Sequence, residues 1–161
     1  MDRTEKKLFS RWLPVTFLLL SAIGLADATY LAITHYREQS AVCLITEGCD
    51  RVLQSQYATL AFAFHIPTAL AGVLYYGILL VFIIVYLRTK NQDVLLLAAR
   101  GTIVGFLASL WFVYLQIFTI KALCAYCLLS AFISTMLFAL GTATLLYERK
   151  FGRAEVSRAS A

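Results

Sequence analysis

The chain has 161 residues, of which 61% are hydrophobic and only 14% charged, with a mean hydropathy of +0.78. A soluble domain is about half apolar and about a quarter charged, so composition excludes an ordinary water-soluble globule. The net charge of +5 does not indicate a nucleic-acid partner, because the basic residues sit where membrane topology would put them.

Residues 1–11 carry Arg3, Lys6, Lys7 and Arg11 and are expected to form a cytoplasmic N-terminal segment. Four apolar blocks come after them, at 12–36, 66–87, 101–120 and 123–147. Each meets the roughly 20 residues a helix needs to cross the ~30 Å hydrocarbon core. The expected fold is therefore all-α and integral to the membrane: a four-transmembrane-helix bundle occupying 12–147, with a cytoplasmic tail at 148–161. The first block is too long for the apolar region of a cleavable signal peptide, and no small-residue cleavage site follows it. It carries Asp27 about two-thirds of the way across, where a carboxylate is costly and faces the bundle interior. His35 and Tyr36 mark its outer interface.

The stretch 37–65 is the one sizeable polar loop and holds Cys43 and Cys49. Its second half, 50–64, is moderately apolar but too short to cross. It is expected as an amphipathic helix lying on the membrane surface, with Asp50 capping its start. Ile66 and Pro67 suit the first turn of the second span, where a missing N–H does no harm. The second and third spans form a hairpin through residues 89–93. The link from third to fourth is only about 119–123, so those helices must be antiparallel neighbours. That link puts Cys124 and Cys127 in the first turn of the fourth span.

Arg88, Lys90 and Arg100 flank the second turn, and Arg149, Lys150, Arg153 and Arg158 follow the last span, so 11 of the 14 basic residues fall on one side. Only Arg37, Arg51 and Lys121 fall on the other. Lysine and arginine accumulate in cytoplasmic loops, which puts both termini in the cytoplasm and all four cysteines on the opposite side. That is the oxidising side, where disulfides persist.

Two structural disulfides or a zinc site are alternative uses of four cysteines. A staple across C-x-x-C closes a tiny loop and removes little chain entropy, and an oxidising compartment suits zinc thiolates poorly. Helix N-terminal N–H groups, by contrast, stabilise a thiolate in the first turn. A relay accounts for the arrangement better. The loop pair reaches water and can meet a protein; the helix pair is embedded and can meet a lipid-soluble two-electron acceptor such as a quinone. Each transfer is attack of a thiolate on a disulfide.

The loop pair Cys43-Leu-Ile-Thr-Glu-Gly-Cys49, the Asp50-Arg-Val-Leu-Gln-Ser55 run after it, Ile66-Pro-Thr-Ala-Leu-Ala-Gly72 with Tyr75 and Tyr76, and Cys124-x-x-Cys127 together resemble the bacterial form of the vitamin K epoxide reductase family over about 12–147. The resemblance implies that Cys43 exchanges with a separate thioredoxin-fold, DsbA-like partner, since no such domain follows the fourth span. It further implies that Cys49 attacks Cys124 and that Cys127 reduces a quinone of the menaquinone, ubiquinone or vitamin K type. Ser55 takes the place of the family's loop serine. Tyr57, Phe62 and Phe64 are expected to line the quinone pocket from the surface helix. Thr68 and Ala131 stand where vertebrate members carry an Asn and a Tyr, which favours quinone reduction over epoxide reduction. The implied setting is a bacterial inner membrane, with the site extracytoplasmic. An endoplasmic-reticulum epoxide reductase and a DsbB-type oxidase are the alternatives; the latter has its cysteine pairs in the opposite order.

Overall fold

The computed structural model describes residues 3–37, 52, 59–60 and 66–159, with side chains described for 12–37, 52 and 68–146. Helix α1 is Arg3–Tyr36. Two short strands, β1 at Thr59–Leu60 and β2 at Ile66–Pro67, pair antiparallel with Thr59 opposite Pro67. Helix α2 is Thr68–Thr89, α3 is Gln92–Tyr114, and α4 is Ala125–Ala159. All four contain stretches long and apolar enough to cross a membrane: Trp12–Tyr36, Thr68–Thr89, Gln92–Ile120 and Ala125–Leu146. The chain is a multi-pass membrane protein whose four spans are all helical, as its composition requires.

Three local expectations change. Of the anticipated surface helix at 50–64, Val52 is helical, but Thr59–Leu60 is extended, and its other residues lie outside those described. Pro67 belongs to β2 rather than to the first turn of α2; its fixed φ and missing N–H suit a strand edge as well as a helix start. The third span begins at Gln92, not at Gly101. Arg100 does not end it, because Leu95, Ala98 and Ala99 bury one face of the helix while Arg100 stays exposed. A long cationic side chain leaves its stem on apolar surface and carries its charge away.

The turn between α2 and α3 takes two residues. Lys90 adopts a left-handed φ of 55°, its N–H bonded to the Tyr86 carbonyl at 2.7 Å. Asn91 then caps α3, its Oδ1 accepting the Asp93 N–H at 2.9 Å. Such a cap satisfies one of the donors that every helix start leaves open.

Packing runs around a ring. α1 lies on α2 and α3 on α4, while α1–α4 and α2–α3 contacts close it. Phe17, Tyr76, Leu79, Ile83 and Leu137 fill the centre. The outward faces are apolar too: Leu19, Leu74, Ile78, Val104 and Leu107 are all more than half exposed, as befits contact with lipid. Lipid is as apolar as leucine, so close packing and interhelical hydrogen bonds hold such a bundle together. α3 packs closely on α4. A Cβ on Gly141 would stand 2.5 Å from Thr102 Oγ1 and 3.0 Å from the Ala99 carbonyl, and Phe106 stacks on Phe138 with centroids 4.4 Å apart. A Cβ on Gly77, by contrast, would meet nothing within 4 Å.

Candidate functional site

The link between α3 and α4 is built to present two sulfurs. After Tyr114 the helix widens into a π turn, Leu115–Ile120. Lys121 then turns left-handed with φ 53°. Gln116 organises the rest of the link. Its carbonyl accepts the N–H groups of Lys121 and Ala122, and its side-chain Oε1 accepts the N–H of Cys124 at 2.9 Å. Gln116 is itself buried, so one polar side chain fixes the peptide that begins the fourth span.

Cys124 occupies the cap position of α4. The first intrahelical bond runs from Leu128 N–H to the Cys124 carbonyl at 3.0 Å, and the Cys127 N–H points at Cys124 Sγ at 3.4 Å. This is the bonding of a Ser or Asp cap with sulfur as acceptor. The Cys124 thiol is pulled down to about 7: a hydrogen bond from the Cys127 side chain outweighs the burial that pushes it up, and the N–H groups of Cys127 and Tyr126 add to the pull. The two cysteines thus divide the work. The helix start favours a thiolate on Cys124, while Cys127, half-buried, faces a large cavity. Both are free thiols.

Cys124 has no exposed surface, and Val52, Tyr126 and Cys127 pack around it. Val52 comes from the segment between α1 and α2, so one residue of that segment packs against Cys124. Tyr126 packs against Tyr30 of α1, centroids 5.1 Å apart, and so anchors the cysteine turn to the first helix. Asp27 on α1 is buried, with no hydrogen-bond partner for Oδ2 among the described residues.

The cavity beside Cys127 holds about 480 Å³, within the range of small-molecule sites. It is enclosed by the C-terminal part of α1, the start of α2, the second half of α3 with its π turn, and the start of α4. The wall is mostly apolar. Val104 and Trp111 line it and are also 66% and 60% exposed, so it opens sideways onto the lipid-facing surface. Its floor is set by Tyr76. That hydroxyl lies 2.9 Å from both Ser130 Oγ and Ser134 Oγ, and donates to the Ser130 carbonyl at 3.0 Å. The two serines are four apart, on one face of α4. The Tyr76 ring passes Gly24 of α1, where an added Cβ would come within 2.5 Å of it.

A model of the vitamin K epoxide reductase family matches residues 15–142. The chain belongs to that family. No curated protein matches it. As a vitamin K epoxide reductase family member it is an oxidoreductase of the membrane with a quinone-linked redox function. In this family member, Cys127, Thr68, Ala131 and His35 all line the one cavity, and Cys124 sits behind Cys127. Cys43, Cys49, Ser55, Tyr57, Phe62 and Phe64 lie outside the described residues. Gln116, Ser130 and Ser134 escape sequence reading, which names Tyr75 and Tyr76 only as part of the resemblance and gives them no role. A lone Gln in an apolar span was the available signal for the first, since a polar group at that depth needs a partner.

Proposed function

We propose that the chain is a thiol–quinone oxidoreductase that takes electrons from a separate thioredoxin-fold protein through Cys43 and Cys49, passes them to Cys124 and Cys127, and delivers them to a quinone. The observation that carries this reading is Cys127 in the wall of an apolar cavity open to lipid, with Cys124 directly behind it. A quinone supplies a two-electron, two-proton acceptor that dissolves in lipid, and the cavity suits such a molecule: it is mostly apolar and aromatic, and no Lys, Arg, Asp or Glu lines it among the described residues.

Each transfer conserves electrons and protons. The partner's dithiol reduces the Cys43–Cys49 disulfide and leaves as a disulfide. The Cys49 thiolate attacks Cys124 of the Cys124–Cys127 disulfide, and Cys127 departs as a thiolate facing the cavity. Cys43 then attacks Cys49, remaking the loop disulfide and freeing Cys124. The Cys124–Cys127 dithiol gives two electrons and two protons to the quinone, which becomes the quinol, and the disulfide reforms. The contact of Val52 with Cys124 supports the loop step. Val52 follows Cys49 by three residues in the sequence.

Thr68 and Ala131 line the cavity at the places where vertebrate members carry larger hydrogen-bonding groups. Between them they bring a single hydroxyl, which favours a quinone over an epoxide. The basic residues favour cytoplasmic termini and an extracytoplasmic site in a bacterial inner membrane, where the activity would supply disulfides to exported proteins.

The test is purified protein with a reduced thioredoxin-fold donor and a series of quinones, followed by quinone absorbance. Turnover is expected with at least one quinone and should vanish in Cys127→Ser. Quinol production that survives in Cys127→Ser removes that sulfur from the reaction.

A further inference from the structure

We propose that the Tyr75 hydroxyl is the hydrogen-bond donor that recognises the carbonyl oxygen of the molecule held in the cavity. This rests on the quinone reading and adds the group that orients the ring. Tyr75 and Tyr76 are adjacent on α2 and their rings meet edge to face at 5.1 Å, yet their hydroxyls fare differently. That of Tyr76 has three partners on α4. That of Tyr75 is buried and has none among the described residues, although its ring lines the cavity. Buried hydroxyls in folded proteins nearly always have a partner.

The fold makes room for this hydroxyl without bonding it. It lies against Gly105 of α3, where any Cβ would collide with it. Several other polar groups of the wall are already engaged. Ser109 donates to the Gly105 carbonyl at 2.8 Å, Ser130 and Ser134 hold Tyr76, Gln116 Oε1 takes the Cys124 N–H, and Thr68 also has a partner. A phenol left over in an apolar chamber, with no Lys or Arg among the described residues of its wall, suits a neutral acceptor such as the carbonyl of a quinone. In this proposal the arriving ligand draws the ring off Gly105 and takes the bond.

The experiment compares wild type with Tyr75→Phe, using menadione and 2-methylnaphthalene as probes. The two probes share a ring system and methyl group but only menadione has carbonyls. Binding is followed by tryptophan quenching, and turnover with dithiothreitol as donor. Menadione affinity should fall about fivefold in Tyr75→Phe, the size of one ordinary hydrogen bond, with KM rising in step. Binding of 2-methylnaphthalene should not change. The ligand-free variant should melt no lower than wild type, because the hydroxyl it loses has no partner among the described residues. An equal change with both probes, no change with menadione, or a lower melting temperature of the ligand-free variant would overturn the assignment. Failure of wild type to bind menadione would instead sink the quinone reading on which it rests.

Discussion

Replacing Gln116 by Leu tests whether the cysteine turn is held by one buried side chain. Leucine has similar bulk and suits an apolar span, so lost packing is small. The loss falls on the Cys124 N–H, which at 2.9 Å from Gln116 Oε1 is buried away from water. A buried donor stripped of its acceptor costs about 1–3 kcal/mol. At about 1.4 kcal/mol per factor of ten, the turn should open roughly 5- to 150-fold more often. Cys124 has no exposed surface, so a small alkylating agent reaches it only during such openings. Its modification rate in the dithiol protein, read by peptide mass mapping, should rise by that factor. Gln116→Glu keeps the acceptor and should stay near the wild-type opening rate. If Cys124 in Gln116→Leu is alkylated no faster than in wild type, the side chain does not hold the turn, and the left-handed Lys121 and π turn suffice.

Further outcomes rest on the same geometry. Gly141→Ala should destabilise the bundle by about 1–3 kcal/mol, the usual result of overpacking, because its Cβ would press on Thr102 Oγ1 and the Ala99 carbonyl. Gly77→Ala meets nothing and should be neutral or stabilising, since glycine weakens helices; thermal unfolding in detergent separates the two. For pH, the folded-state Cys124 thiol lies at about 7, below its ordinary 9.0. A depressed acid adds stability that is fully present above the unfolded value and lost as pH falls through the folded one. The dithiol protein should therefore gain stability between about pH 7 and 9, and thiolate absorbance should titrate with a midpoint near 7. Asp27 pushes that midpoint upward, so Asp27→Asn should lower it; a rise would reverse the assigned sign.

Four spans, their order and their charge bias were legible in the sequence because they depend on local properties. A run of apolar residues long enough to cross must satisfy its backbone internally, and lysine and arginine counts are read without knowing any contact. The first span, Trp12–Tyr36, was readable because a basic cluster precedes it and a polar loop comes after it. The start of the third span was not, because Arg100 looks like a boundary until α3 is seen to bury a different face. The placement of Cys124 and Cys127 at the start of the fourth span came from the shortness of the link before them.

What the sequence by itself determined is thus the number of crossings and the end of the bundle at which the C-x-x-C pair sits. Only the tertiary structure decided which cysteine caps the helix and which faces a cavity, that Gln116 holds the first of them, and that Tyr76 finds two serines while Tyr75 finds no partner among the described residues. These depend on how each helix is rotated about its own axis. In helices apolar on every side, hydropathy carries almost no record of that rotation. It is set by where glycines and alanines let backbones approach, and by which buried hydroxyls and amides find partners once they have done so.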